Sequence, residues 1–169
     1  MRIFLWGEYE MNKKLKRILC PIDFSENSLH ALRAAYAVAL YFSAQVVAVF
    51  VMPGAQALRL PGNRTAHHQI LDAYYSEKLD LAVRQLPLGG AKVETVLLKG
   101  YGPDAIVRAA DSYHVDAILM ADERKDDWEQ VRDGSTVEEV ASQAPCPVYV
   151  LRALGEDEEF GGSGIIRLS

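Results

Sequence analysis

The sequence predicts a doubly wound α/β domain, with a parallel sheet between two layers of helices. Short apolar runs typical of buried strands alternate with segments whose apolar residues recur every three or four positions, as on one face of a helix. This alternation requires parallel strands joined by right-handed crossovers. Size and composition agree with one globular domain, since the 169 residues are 50% hydrophobic and 24% charged.

Five strands and four helices are predicted in turn. The strands are the apolar runs at 17–22, 45–52, 92–99, 117–121 and 147–151. The helices are predicted at about 29–42, 65–86, 103–113 and 135–143. Residues 23–28 offer several N-cap side chains for the first helix, and Pro-Leu-Gly-Gly at 87–90 ends the second. The third strand alternates at its start, as an edge strand does.

The predicted domain extends from residue 15 to residue 153. Residues 1–14 are interpreted as an N-terminal extension, because the sequence from Met11 to Lys14 resembles a natural start. The apolar run at 3–6 is too short for a signal peptide or a membrane span. Residues 154–169 are acidic and then rich in glycine, which predicts a flexible C-terminal tail.

Charge and cysteine content exclude several classes of function. The net charge of −5 gives no reason to expect a nucleic-acid partner, and no membrane segment is predicted. Cys20 and Cys146 lack paired spacing, which favours buried free thiols in the cytoplasm over a disulfide or a zinc site. His67 and His68 are adjacent and would diverge on a helix, so they predict no shared metal. No nucleophile has a recognisable base, so catalysis beyond a weak ATPase is not expected.

A ligand crevice is predicted where the winding of the sheet reverses. In such folds ligands bind beyond the carboxyl ends of the strands, here at 22–25 and from Ala121 onward. Residues 134–136 form a small turn before a helix, where unpaired backbone N–H groups favour an anion. The preceding loop, 122–133, has six acidic residues, three basic ones and no glycine, which opposes a phosphate cradle. The turn at 134–136 therefore favours a bound phosphate, whereas the acidic loop before it opposes one.

Three segments together have a specific pattern. They are ILCPIDFSENSLHAL at 18–32, the turn at Gly100 before the third helix, and APCPVYVLR at 144–152. With them, residues 16–152 resemble the universal stress protein family. The resemblance implies a Rossmann-like five-stranded sheet of order 3-2-1-4-5 and a homodimer in which the last strands pair across the two-fold axis. The implied dimer interface consists of Pro147, Val148, Tyr149, Val150 and Leu151.

Nucleotide-binding members of that family carry Gly-x-x-Gly, nine residues, and then Gly-Ser or Gly-Thr. On this chain the last pair falls on Gly134 and Ser135, while Ala121 and Arg124 replace the first two glycines. Arg124 would either block the pocket or contact phosphate. By the same resemblance, Asp23 matches the acidic residue near the adenine. If the site is retained, the implied nucleotide contacts are Pro21, Ile22, Asp23, Ser25, Val51, Met120, Ala121, Arg124, Gly134, Ser135 and Thr136.

Two functions from different classes follow from this resemblance. The preferred one is a homodimeric stress-response regulator with a degenerate nucleotide site, which does not hold ATP tightly and acts through an unknown protein partner. The alternative is a regulator that binds ATP or AMP in the crevice, with Mg²⁺ if ATP binds and with slow hydrolysis at most. The replaced glycines and the acidic loop favour the first, whereas the intact Gly134-Ser135 pair favours the second.

Overall fold

The computed structural model describes residues 15–52, 64–87, 89–121, 136–153 and 163–168. Within these residues the strands are β1 (Arg17–Pro21), β2 (Gln45–Met52), β3 (Lys92–Lys99), β4 (Ala117–Ala121), β5 (Val148–Ala153) and β6 (Ser163–Arg167). The helices are α1 (Glu26–Phe42), α2 (Arg64–Arg84), α3 (Gly102–Ser112) and α4 (Thr136–Gln143).

The strands form one sheet of order β3-β2-β1-β4-β5-β6. The first five strands in this order are parallel, so the predicted order 3-2-1-4-5 is confirmed. As predicted, β3 lies at an edge, and its middle residues are only partly buried. Because all five run the same way, their carboxyl ends meet at one edge of the sheet.

Helices cover both faces of the sheet. Residues of α1 and α2 pack with Ile18 and Cys20 in the core on one face, whereas α3 and α4 pack with Leu19 and Ile118 in the core on the other. Leu19 and Cys20 have no exposed surface although they point to opposite faces. Burial on both faces explains why the inner strands β1, β2 and β4 are continuous apolar runs.

The start of α1 follows the predicted capping pattern. Ser25 is the N-cap, in an extended conformation, and its hydroxyl accepts a hydrogen bond from the Ser28 backbone N–H at 3.2 Å. The helix ends at Ser43 in the left-handed region, φ 54°, where the N–H of Ala44 returns to the carbonyl of Ala39 at 2.8 Å. Both ends therefore satisfy backbone groups that the helix leaves unpaired.

A single carboxylate holds the start of β1 beside the start of β4. Asp116 Oδ2 accepts hydrogen bonds from the backbone N–H groups of Lys16 and Arg17, at 2.8 and 2.9 Å. The Arg17 guanidinium donates to the carbonyl of Tyr113 at 2.8 Å. The turn between α3 and β4 is thus tied to the first residues of the central strand.

The C-terminal tail contains a strand that the sequence analysis did not predict. β6 pairs antiparallel with β5, from Tyr149 opposite Arg167 to Ala153 opposite Ser163. Residues 163–167, which were placed in a flexible tail on sequence grounds, form this strand. Both sides of β5, the strand predicted to form the dimer interface, pair with strands of the same chain, β4 and β6. Ile165 and Ile166 are β-branched and suit a strand, but Ser163 and Gly164 weaken the local signal.

We expect Asp116→Ala to lower the free energy of unfolding by about 1–3 kcal/mol, because it leaves two backbone donors without their acceptor. Urea denaturation measures this change. The matched control is Asp111→Ala, which removes an exposed carboxylate from the last turn of α3 and should change stability by less than about 0.5 kcal/mol. Equal losses in the two variants would show that the Asp116 contacts do not stabilise the fold.

We expect Gly90→Ala to lower stability by about 1–3 kcal/mol through overpacking. An added Cβ would lie 2.3 Å from Leu40 Cδ2 and 2.5 Å from the Tyr36 hydroxyl, which donates to the carbonyl of Pro87. Gly102→Ala is the control, since an added Cβ there meets no heavy atom within 4 Å and the residue starts a helix. Thermal melting that shifts equally in both variants would contradict the steric explanation.

Candidate functional site

The predicted crevice lies at the carboxyl edge of the sheet, between β1 and β4. The chain leaves β1 toward α1 on one face, whereas α4, which follows β4, lies on the opposite face. The two connections therefore diverge and leave an opening between neighbouring strands, which is the usual ligand position in doubly wound sheets.

The strand register aligns the residues predicted to contact adenine. Pro21 lies opposite Val49 of β2, with Val51 two residues further along β2 and Asp23 two residues past the end of β1. Leu19 lies opposite Ile118 of β4, and the same register places Pro21 level with Met120. The predicted residues on three adjacent strands thus meet at one edge.

The predicted nucleotide contacts are distributed over both faces of the sheet. Val51 and Met120 pack with the core on the α3 and α4 side. Ile22 and Ala121 pack with the core on the α1 and α2 side, and the N–H of Ile22 donates to the carbonyl of Val49 at 2.7 Å. A ligand on the α3 and α4 side would therefore meet the side chains of Val51 and Met120, but only the backbone of Ile22 and Ala121.

The Asp23 side chain is held by a turn at the end of β1. Its Oδ1 accepts a hydrogen bond from the backbone N–H of Ser25 at 2.8 Å, and its own N–H donates to the Ser28 hydroxyl at 3.3 Å. Asp23 itself is exposed. Ser25 was predicted as a nucleotide contact, but its hydroxyl caps α1. The turn therefore holds an exposed Asp23 carboxylate just beyond the carboxyl end of β1, with Ser25 as its support.

An aromatic cluster supports the strained residue in this turn. Phe24 has φ 68°, a left-handed conformation that is uncommon for a bulky residue. Its ring lies 4.9 Å from that of Phe50 and 6.3 Å from that of Tyr75, and the Lys78 ammonium lies 4.7 Å from its centroid. This cluster was not predicted from the sequence, because its members lie on separate elements that are distant in the chain. Packing against α2 and β2 thus stabilises the conformation that positions Asp23.

A second contact that the sequence analysis missed joins the starts of α3 and α4. The Tyr101 hydroxyl donates to the Glu139 carboxylate, with distances of 2.9 and 3.1 Å to its two oxygens. This hydrogen bond is the main cause that raises the pKa of Tyr101 above its ordinary value, and desolvation and the charges of Glu139 and Asp104 add to it. The two residues are 38 positions apart, so no local pattern indicated the pair.

Carboxylates occupy the helix starts around the crevice. Asp104 lies in the first turn of α3, and Glu138 and Glu139 lie in the first turn of α4, close to the exposed Thr136. The amino end of a helix favours negative charge, and these side chains supply it from within the protein. A ligand with several phosphates would meet repulsion here, whereas a small anion would meet less.

The two cysteines show no sign of a reactive role. Both are free thiols, as predicted, with Cys20 fully buried and Cys146 partly buried. Burial raises the pKa of Cys20 to about 12 and that of Cys146 to about 11, with a further contribution from the charge of Asp116 at Cys146. The nucleophilic thiolate is therefore scarce at neutral pH in both side chains.

Three of the predicted nucleotide contacts, Arg124, Gly134 and Ser135, lie outside the described residues. The phosphate end of the site therefore stays a prediction. Within the described ranges no group of three or more His, Cys, Asp and Glu side chains is arranged to hold a metal ion. The helices of these ranges also include none with the length and apolar character that a bilayer span requires.

A doubly wound domain with a crevice between β1 and β4 is a ligand-binding architecture, and comparison with known proteins gives its family. The family described as universal stress protein family matches residues 14–152. A universal stress protein of Methanocaldococcus jannaschii is 31% identical over 139 residues, which are 81% of this chain and 82% of that protein. The chain belongs to the universal stress protein family.

Two solved structures show the same fold. The universal stress protein of Archaeoglobus fulgidus in complex with dAMP is 28% identical, with a TM-score of 0.58 over 80% of this chain and 96% of that one. The universal stress protein UspA of Lactobacillus plantarum is 22% identical, with a TM-score of 0.62 over 82% of this chain and 99% of that one.

We expect Glu139→Gln to lower the pKa of Tyr101 toward its ordinary value of 10.0, because the charged acceptor that favours the protonated phenol is removed. Carbon NMR of protein with ¹³C-labelled tyrosine rings follows the titration, and Tyr101→Phe assigns the resonance. The control is Glu138→Gln, which removes a neighbouring exposed carboxylate from the same turn. A Tyr101 pKa that responds equally to both substitutions would show that the hydrogen bond is not its main cause.

Proposed function

We propose that this chain is a stress-response regulator whose crevice binds an adenosine monophosphate and does not hold ATP tightly. The observation that carries the proposal is that Pro21 and Met120 are level with each other at the carboxyl edge of β1 and β4, with Val51 of β2 and Asp23 each two residues further along the chain from that level. Val51 and Met120 offer apolar contact to a flat base, and the carboxylate of Asp23 is a hydrogen-bond acceptor for an amino group.

A related protein supports the choice of a monophosphate. The Archaeoglobus fulgidus relative, 28% identical, is described in complex with dAMP, which has an adenine base and one phosphate. The residues that the family resemblance assigns to the adenine are present in this chain, while two of the three glycines assigned to phosphates are replaced. The adenine end of the site therefore has more support than the phosphate end.

Electrostatics favours one phosphate over three. Each phosphate group adds negative charge, and the first turns of α3 and α4 already hold Asp104, Glu138 and Glu139. At about 8 Å, each additional like-charge pair costs roughly 0.5–2 kcal/mol before screening by salt. ATP without a metal would therefore bind at least about tenfold more weakly than AMP, and Mg²⁺ would reduce the difference.

The second candidate is an interaction module without a nucleotide. The same acidic helix starts favour it, as does the use of the Ser25 hydroxyl as a helix cap. In that case the unknown protein partner would be recognised by the surface of the chain, and the crevice would be a remnant. Binding of AMP separates the two candidates.

The test is calorimetric titration of AMP, and of ATP with and without Mg²⁺, into protein that has been unfolded and refolded to remove carried ligand. We expect AMP to bind with a dissociation constant below about 1 mM, and Asp23→Ala to weaken it at least tenfold, because the base loses its polar contact. Asp111→Ala is the matched control, since it removes an exposed carboxylate beyond the opposite edge of the sheet. Thermal melting of both variants checks that they remain folded.

Two results would contradict the proposal. No heat with AMP up to about 10 mM would leave the interaction module as the function. Tighter binding of ATP than of AMP in the absence of Mg²⁺ would show that the phosphate end is functional despite its carboxylates, with Arg124 as the basic residue to examine next.

A further inference from the structure

β5 has a hydrogen-bonding partner on each of its two sides. β4 pairs with it in parallel, from Ile118 opposite Val148 to Ala121 opposite Leu151. β6 pairs with it antiparallel over five positions, and beyond this ladder the N–H of Leu168 donates to the carbonyl of Val148 at 2.9 Å. The strand that the sequence analysis assigned to a dimer interface is therefore covered by the chain's own C-terminus.

We propose that β6 is an intramolecular cap that competes with a second copy of the chain for the β5 edge, and that it keeps the chain monomeric while it is bound. The proposal does not depend on nucleotide binding. Its basis is that one row of backbone groups on β5 cannot pair with β6 and with another strand at the same time.

A second copy is the occupant that fits the uncapped edge. Without β6, β5 would present a row of unpaired N–H and C=O groups, which is a template for another strand. Val148 and Val150 are 0% and 1% exposed and pack into the core on the α3 and α4 side, so the folded domain holds the backbone of β5 in place. Two copies related by a two-fold axis would pair the same strand antiparallel, as an isologous contact requires.

The tether explains why the cap prevails at moderate protein concentration. β6 follows β5 after the nine residues 154–162, and short linkers give effective concentrations in the millimolar range. At about 10 µM protein, a second copy is therefore at a disadvantage of roughly 100-fold for contacts of equal strength. β6 is nevertheless short and contains Gly164, which weakens a strand, so it remains displaceable.

The same geometry determines which substitutions are informative. Because the side chains of Val148 and Val150 are buried in the monomer, a charge at either position would destabilise the fold whether or not a dimer forms. Removal of β6 leaves these side chains in place and changes only the outer edge of β5. The C-terminal strand is therefore the part of the molecule to alter.

The first experiment compares the full chain with a chain that ends at Ala153, by light scattering at about 10–100 µM. We expect the full chain to be a monomer and the shortened chain to be a dimer, with a dimer dissociation constant at least tenfold lower. Deletion also removes the acidic residues 156–159, which would repel between two copies. The full-length variant Ile166→Pro controls for this charge, because proline removes a backbone donor from the middle of β6 and leaves the acidic run in place.

Ile166→Pro should therefore form dimers as the shortened chain does. A full chain that is already a stable dimer, or a shortened chain that stays monomeric and folded, would overturn the proposal. Dimers of the shortened chain together with a monomeric Ile166→Pro chain would also overturn it, since the tail would then act through its charge and not through strand pairing.

A disulfide trap tests the cap without removing it. Ala153→Cys with Ser163→Cys, in a Cys146→Ser background, places two thiols opposite each other in the β5–β6 ladder. We expect an intrachain disulfide, seen as a monomer on a non-reducing gel, and a protein that stays monomeric at about 1 mM until it is reduced. An interchain disulfide would show that β6 is exchanged between copies, and it would overturn capping within one chain.

Discussion

The position of β1 at the centre of the sheet is the constraint on which the site depends. β1 has only five residues and pairs with β2 on one side and β4 on the other. Leu19 and Cys20 are fully buried in the cores on opposite faces of the sheet. A slip of one residue in the pairing of β1 would exchange the faces to which these two side chains point. Asp116 opposes such a slip, since its carboxylate binds the N–H groups of both Lys16 and Arg17 at the start of the strand. A contact at the amino edge thereby sets the level of Asp23 at the carboxyl edge.

At the carboxyl edge, a local cost in backbone energy is offset by packing between elements. The turn that holds Asp23 after β1 has Phe24 in the left-handed region, which costs about 1–2 kcal/mol for a residue with a side chain. The rings of Phe50 and Tyr75 cover Phe24, and pairs of this kind contribute about 0.5–1.5 kcal/mol each beyond the area they bury. Phe50 belongs to β2 and Tyr75 to α2, so three elements of the fold maintain one turn of the candidate site.

The sequence predicts the features that local pattern determines. Four of the five parallel strands are continuous apolar runs and β3 alternates at its start, so all five were recognisable, and the boundaries of β2, β3 and β4 agree with the structure. Contacts between distant positions were not predictable in this way, because neither Tyr101 and Glu139 nor Asp116 and Arg17 show a local pattern. β6 was missed for a related reason: its five residues acquire strand structure by pairing with β5, and a glycine stands among them. At the candidate site, the adenine residues came from the family resemblance, while the turn that orients Asp23 came only from the structure.

The crevice and the β5 edge are separated by one strand, and proximity alone does not couple two sites. Coupling would require a nucleotide to have different affinities for the capped and uncapped states of β5. β4 lies between the two sites and pairs with the inner side of β5, from Ile118 to Ala121, whereas β6 occupies the outer side. Release of β6 leaves that inner ladder and the packing of Met120 and Val150 in the same core unchanged. The fold therefore keeps the two proposals independent, since the proposed nucleotide contacts lie at the carboxyl ends of β1, β2 and β4 and the proposed cap lies on the outer side of β5.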